Sequence, residues 1–468
     1  MMGALSNSKW GWRKEDLTKV YSAHIKSVLD YGAPAWQPWI SETNMQQLET
    51  AQNKALRHIT GQMRSSPVEA LRAESGVCSY KTTSQRLTLS AEERAVRCPD
   101  DHPCKLTMEN TVRHRLVRSS FRSTAKELEA KHIPSDALNR LPIEVDNPQP
   151  WGNKRRVEVY HNLGDESQHK GDIPNAQLKT TALDKISEYD ADWIIYTDGS
   201  AEESTMNGGS AAVITNSILG TPSHPHVVET IKKKGRPLTS SYEEEKAAME
   251  IAVTWIESNI KNNSKVLICT DSQSLCQTLG DPLTCTVVDI RDRIERALPS
   301  IIVQWIPAHV GIPGNELVDK AAKEASQLPG PPCRVSYNSI KSHIKQDIKD
   351  PEIKHERTRK IYKDYKPRSD RKICNTRADQ TLLARLRSGH HLSFRAYKHR
   401  IDQVTNPHCL HCPGEDHNLE HWLTKCAQTS SARMRIFGTL DPGLQVLSTN
   451  PAGALELARE TLLSAPEP

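Results

Sequence analysis

The amino-acid sequence predicts an α/β fold in its middle, a mixed five-stranded sheet with flanking helices. A mainly helical region precedes it, and a basic region with a cysteine–histidine cluster follows. Three observations lead there. Two short apolar runs, Trp193–Thr197 and Lys265–Thr270, each end in an aspartate, Asp198 and Asp271. Around them, segments with helical spacing alternate with further apolar runs, the pattern of strands covered by helices. From Arg334 to Arg400, 19 Lys/Arg stand against 7 Asp/Glu, a local net of +12 in a chain whose net charge is +5.

The chain has 468 residues. At roughly 100–200 residues per domain, that suggests two to four domains. Hydrophobic residues make up 36% and charged residues 25%, with a mean hydropathy of −0.62. That is polar for a globular protein, though not a disordered composition throughout. No apolar run approaches the ~18–20 residues that cross a bilayer. The first ten residues hold no apolar core of signal-peptide length. A secreted or membrane protein is therefore disfavoured, and an intracellular one is expected. The 11 cysteines are odd in number and scattered, and only Cys409 and Cys412 form a CxxC pair. A reducing compartment fits this better than a disulfide framework.

Residues 1–97 read as helical. Leu17, Val20, Tyr21, His24, Ile25, Val28 and Leu29 recur at helical spacing, then Met45, Leu48, Ala51, Ala55, Leu56 and Ile59. Gly61 is a fitting helix end. Residues 98–188 lose periodicity and carry scattered prolines, so a linker with occasional helices is expected. Cys98, His102 and Cys104 lack a fourth metal ligand at sensible spacing.

Order returns over 189–328. Trp193–Asp198 reads as a strand, Gly208–Ile214 as its returning partner, and His226–Ile231 as a third strand. Ser240 caps a helix to Ile260 that carries Ala248, Ala252, Val253 and Ile256 on one face. Lys265–Thr270 is a fourth strand, and Val287–Leu298 a helix. Ile301–Ile306 is the fifth strand, and Asn315–Ser326 the last helix of this domain. Leu328-Pro329-Gly330-Pro331-Pro332 marks a linker. A basic helical region over 329–408, a knuckle over 409–426 and a tail over 427–468 complete the chain.

Four acids stand out by placement: Asp198, Glu245, Asp271 and Asp319. The two aspartates at strand ends lie where ligands gather in α/β sheets. Glu245 lies in the first turns of its helix, on the face that packs on the sheet. Asp319 lies near a helix start, three residues from Glu316. Converging carboxylates repel unless cations neutralise them, and oxygen ligands of this kind suit Mg²⁺. Two such ions ~3.5–4 Å apart can clamp a phosphodiester. Each acid taken alone is more simply a cap or a solvated charge.

The ordered set is more specific than its parts. Thr197-Asp198-Gly199-Ser200, Glu245-x-x-Ala248 with Ala252, Thr270-Asp271-Ser272, and Trp305-Ile306-Pro307-x-His309-x-Gly311-x-x-Gly314-Asn315-Glu316-x-x-Asp319 together resemble a type 1 ribonuclease H over about 190–328. The resemblance implies a ribonuclease H-like fold and hydrolysis of the RNA strand of RNA–DNA hybrids by two-metal catalysis. It implies Asp198, Glu245, Asp271 and Asp319 as ligands of two Mg²⁺ ions, with Mn²⁺ as a substitute. His309 matches the family's flexible-loop histidine, implicated in proton transfer or product release. The chain departs from the pattern twice. Glu243, Glu244 and Glu245 are consecutive, and Glu245 is favoured because it sets Ala248 at i+3 and Ala252 at i+7. Residues 280–300 lack the Trp-rich basic protrusion by which some cellular members hold hybrid.

Cys409-x2-Cys412-x8-His421-x4-Cys426 has zinc spacing. His408, His411 and His417 are competing ligands. The arrangement resembles the C-terminal zinc knuckle of non-LTR retrotransposon polyproteins, as do Leu382–His390 and Tyr397–Arg400 before it. Tyr31-Gly32-Ala33-Pro34-Ala35-Trp36 and Leu48–Arg57 resemble the helical segment after the polymerase core of the same jockey-like elements. A polymerase should show two adjacent catalytic aspartates on a hairpin, and Tyr189-Asp190-Ala191-Asp192 is not that, since its aspartates are separated. The basic region and knuckle imply single-stranded RNA or DNA as a further partner. The alternative to a nuclease is a catalytically inactive nucleic-acid-binding remnant.

Overall fold

The computed structural model describes residues 2–109, 121–143, 157–163, 174–202, 206–261, 263–281, 287–297, 299–329, 334–367 and 369–463. Three stretches of the proline-rich connection, 110–120, 144–156 and 164–173, and Gly330-Pro331-Pro332 of the second linker lie outside them. The chain divides into two compact units. One comprises 1–88, 118–124 and 348–468, and the other 89–117 and 125–347.

The second unit is built on a mixed sheet. Its strands are β1 (Glu158–Tyr160), β2 (Trp193–Glu202), β3 (Met206–Asn216), β4 (Val227–Lys234), β5 (Lys265–Thr270) and β6 (Ser300–Trp305), in the order β1-β6-β5-β2-β3-β4. β3 runs antiparallel to β2 and β4, while β5 is parallel to β2 and β6. The sheet therefore has six strands, not the five expected. The added strand, β1, pairs parallel with β6 and comes from the stretch read as linker. It is three residues long and both its ends are exposed. Only Val159 packs on the core. So short a run has no alternation to read.

The central strands obey a period of two, which places one side-chain set on each face. Ile195, Ala212, Ile214, Val266 and Ile268 join one core with Met249, Ala252, Val253 and Ile256 of the helix Ser241–Asn259. The alternate residues Ile194, Tyr196, Ala211, Val213, Leu267 and Cys269 join another with Val318, Ala321 and Ala322 of the helix Pro313–Ser326. Both faces are covered, which is why these strands read as continuous apolar runs. Ser240 caps its helix by accepting from the Glu243 N–H at 3.3 Å.

The first unit is helical and brings together residues far apart in sequence. Helices Lys14–Val20, Glu42–Thr60 and Val68–Ser75 join helices Arg377–Ser388 and Pro451–Thr461. Gly61 ends the long helix in the left-handed region at φ 69°. Leu419, Trp422 and Leu423 of the knuckle segment enter the same core as Leu383, Leu386, Leu455 and Leu457. Leu410 stays exposed. The segment 409–426 thus packs within a larger core. Among the described residues, no helix is long and apolar enough to cross a membrane.

Candidate active site and candidate metal centre

β2 and β5 run parallel, and their pairing stops with Thr197 opposite Thr270, where β5 ends while β2 runs on along β3 to Glu202, so Asp198 lies within β2 rather than at its end as the sequence suggested. The next residue on each is Asp198 or Asp271. Both aspartates therefore sit where the β2–β5 pairing stops. The helix Ser241–Asn259 can deliver a third acid there because residue 199 is glycine. A Cβ on Gly199 would lie 2.1 Å from the Glu245 backbone nitrogen, so any side chain would push the helix away. Carboxylate oxygens of Asp198, Glu245 and Asp271 lie within 4.8 Å of one another.

The three consecutive glutamates divide by their partners. Glu243 faces Arg236, at 3.6 Å. Glu244 is buried and accepts from the hydroxyls of Ser210 and Thr239, each at 2.6 Å. Its charge is satisfied by structure. Glu245 is buried, and among the described residues its Oε2 has no hydrogen-bond donor. An orphaned buried carboxylate oxygen calls for a cation or a proton.

The electrostatics agree with the geometry. Burial, reinforced by the charges of Asp271 and Asp319, pushes the Asp198 carboxyl up to about 7. Burial, then Asp198 and Asp271, pushes Glu245 well above the usual carboxylate range. Asp271 is raised too, chiefly by burial, against the hydrogen bond from Asn315. Such perturbed carboxylates mark functional sites more often than structural ones.

Asp319 stands apart from the trio. It lies on the helix Pro313–Ser326 and accepts from Lys323 Nζ at 2.7 Å, although its charge still acts on Asp198 and Asp271. His309 sits exposed in the loop after β6, with φ 55°, and its charge also acts on Asp271. Sequence reasoning assigned no role to Asn315. Its Nδ2 donates to Asp271 Oδ2 at 3.3 Å, and its Oδ1 is buried without a donor. The signal was its place in the glycine-rich turn before Asp319.

The second cluster lies in the other unit. One ligand atom each from Cys409, Cys412, His421 and Cys426 falls within 4.8 Å of the others. Cys409 and Cys426 are free thiols with sulfurs 3.8 Å apart. A tetrahedron with zinc–sulfur bonds of ~2.3 Å has an edge of about that length. Among the described residues, neither buried ring nitrogen of His421 makes a hydrogen bond, and Nδ1 lies 3.8 Å from the Glu415 carboxylate. The Ala427 N–H donates to Cys412 Sγ at 3.4 Å, the kind of contact that steadies a thiolate. His408 instead faces Asp416, at 3.2 Å.

The basic segment is only partly a surface. Arg387 is buried among Glu74 and Asp370, and Arg377 donates to the carbonyls of His58 and Ile59. Arg359 and Lys360 remain exposed.

No curated protein matches the chain. Among solved structures it is similar to the N-terminal RNase H domain of a Mycobacterium tuberculosis protein, solved fused to maltose-binding protein. The identity is 16% over 29% of this chain and 94% of that one, with a TM-score of 0.24. It is similar to a foamy viral protease–reverse transcriptase in complex with double-stranded DNA, at 22% identity over 30% and 96%, TM-score 0.24. A third likeness is to LC11-RNase H1 in complex with an RNA/DNA hybrid, at 18% identity over 28% and 98%, TM-score 0.23. The family model for RNase H matches residues 190–327, the stretch that contains β2 to β6 and all four acids. Residues 190–327 of this chain are an RNase H domain.

Proposed function

We propose that the chain is an endonuclease that hydrolyses the RNA strand of RNA–DNA hybrids, with Asp198, Glu245, Asp271 and Asp319 as the metal-binding acids. The observation that carries this is the trio of carboxylates, Asp198 and Glu245 buried and Asp271 half-buried, with an orphaned oxygen on Glu245. The donor set is all oxygen, which suits Mg²⁺ or Mn²⁺. Two such ions would supply an activated water and charge stabilisation for the leaving oxygen. The chain's own contribution is placement. Asn315 holds Asp271 by its side-chain amide, and the close contact at Gly199 holds Glu245 beside Asp198. Lys323 keeps Asp319 paired at the rim. His309, on an exposed loop, is suited to carry a proton to or from the substrate or to hasten product release.

We assign zinc to Cys409, Cys412, His421 and Cys426, whose burial and spacing suit that ion. The motifs of the flanking regions support a retroelement origin of the non-LTR, jockey-like kind. The exposed cations of the basic segment support contact with single-stranded RNA or DNA.

The test is cleavage of a hybrid with a labelled RNA strand in Mg²⁺, beside single-stranded RNA of the same sequence. Hybrid-specific cleavage is expected. Binding without cleavage would favour the inactive nucleic-acid-binding remnant. Metal analysis of the purified chain should find zinc, and Cys412→Ser should lower it. Metal-free wild-type protein that stays folded would remove the zinc assignment.

A further inference from the structure

The first unit carries a feature that hybrid cleavage does not use. Ser8-Lys9-Trp10-Gly11-Trp12-Arg13 sets two indoles between two cations. Trp10 is 73% exposed and Trp12 50%, whereas Trp255, Trp305 and Trp422 are buried. Single exposed aromatics such as Trp39 are ordinary on a surface, but two exposed indoles one residue apart make a patch that suits a partner.

The loop that carries them is held in place. The Gly11 N–H donates to the Asn7 carbonyl at 3.0 Å, and the Trp12 N–H to that of Leu5 at 2.8 Å. Asn7 Oδ1 accepts from the Lys9 N–H at 2.9 Å. A Cβ on Gly11 would lie 2.5 Å from the Asn7 backbone, so the turn closes tightly between the two indoles. Ser6 ties the loop to His58 of the long helix, at 2.9 Å. The aromatic faces are thus presented on an ordered backbone, which lowers the entropy lost on binding.

The charged residues directly flanking them are cations. Lys9 and Arg13 are exposed, and among the described residues neither enters a side-chain ion pair. Arg13 is steadied by donating to the Asn375 carbonyl at 2.7 Å. The neighbouring acids are engaged elsewhere: Glu15 accepts from Gln380 at 3.0 Å, and Asp16 faces Lys19 at 3.4 Å. Exposed aromatic rings beside unpaired cations are the elements of single-strand recognition. Bases stack on the rings while phosphates meet the charges.

We propose that Trp10 and Trp12, flanked by Lys9 and Arg13, form a stacking site for single-stranded nucleic acid. The site lies outside both the RNase H domain and the cysteine–histidine cluster. It does not depend on the nuclease reading.

The experiment measures binding of fluorescein-labelled oligouridylate and oligodeoxythymidylate to the full chain by anisotropy. Trp10→Ala with Trp12→Ala should weaken binding about five- to hundredfold for each stack lost. Trp10→Phe with Trp12→Phe should keep most of the affinity, because a phenyl ring still stacks. Lys9→Gln should flatten the salt slope of log K by about 0.7, one single-strand phosphate contact. Loss on either oligomer supports the site and identifies the sugar it accepts. Unchanged affinity in the alanine double variant would overturn it. So would an equal loss on duplex DNA, whose bases are not free to stack. The surface would instead be a protein interface if the alanine variant alters sedimentation of the chain and leaves oligomer binding intact.

Discussion

Each unit of the molecule buries carboxylates, and they are treated in opposite ways. In the RNase H domain, Asp198, Glu245 and Asp271 meet with little to neutralise them, and all three are shifted upward. In the helical unit, Glu74 and Asp370 are buried more deeply still. There Lys14 reaches Glu74 at 2.9 Å and Asp370 at 3.3 Å. Arg387 donates to Asp370 at 2.7 and 2.9 Å, and its guanidinium lies 4.4 Å from the Tyr365 ring centre. Tyr362 and Tyr365 donate to Glu74 at 3.0 and 2.8 Å. Burial works against both acids, yet the two cations outweigh it and hold Glu74 below its ordinary value and Asp370 at about 2. The lesson is that burial alone does not make an acid functional. What matters is whether the chain supplies the counter-charge. The cluster of the helical unit is closed by its own cations, and the trio of the RNase H domain is left open to a cation from outside.

Four experiments would break or sharpen this contrast. Asp198→Asn should have the largest effect. Cleavage should fall by at least about a thousandfold, or about 4 kcal/mol of barrier, while hybrid affinity changes little. Single-turnover rates beside binding isotherms separate the two, and near-normal turnover would remove Asp198 from the site. Arg387→Met strips the closed cluster of its main cation. Leaving two carboxylates against Lys14 alone should cost about 3–5 kcal/mol, read by denaturant unfolding followed by peptide-resolved hydrogen exchange. An unchanged unfolding midpoint for the helical unit would mean the cluster is not what holds it together.

Asn315→Ala should act through Asp271. We expect kcat to fall about ten- to a hundredfold with hybrid affinity held. Weaker metal binding, read by titration calorimetry, would accompany it. A drop in affinity alone would assign Asn315 to substrate contact instead.

The smallest effect is on the pH dependence of the metal-free chain, and its sign differs between the units. Asp198 is raised to about 7, so the folded RNase H domain binds protons that the unfolded chain, near 4, releases. Its stability should fall as pH rises from about 4 to about 7. Asp370 is lowered to about 2, so its contribution is present above about 4 and is lost as pH falls toward about 2. Hydrogen exchange across pH, followed separately in peptides of each unit, reads both slopes. Slopes of the same sign would collapse the contrast, and added Mg²⁺ should flatten only the first.

Much of the RNase H domain was legible in the sequence because its determinants are local. The continuous apolar runs of β2, β3 and β5 follow from two covered faces, and the Ser240 cap lies within a few residues of the helix end it sets. The order of the four acids, and the spacing of Cys409, Cys412, His421 and Cys426, are also written along the chain. Distinguishing Glu245 from Glu244 was only half local. Helix phase favours Glu245, but the hydroxyls that satisfy Glu244 come from Ser210 on β3 and Thr239 before the helix.

Other features were decided by tertiary structure alone. β1 is too short to carry a period and exists because β6 offers it an open edge. The net of +12 over 334–400 looked like one surface, yet Arg377 and Arg387 are spent inside the protein on partners from the N-terminal helices. Lys14, Glu74, Asp370 and Arg387 carry no shared motif, and up to 373 positions separate them. Sequence records which charges a chain has and how closely they follow one another. Pairing across such separations depends on distance in space, which only the packed helices set, and a buried charge is neutralised by what lies within a few ångströms of it.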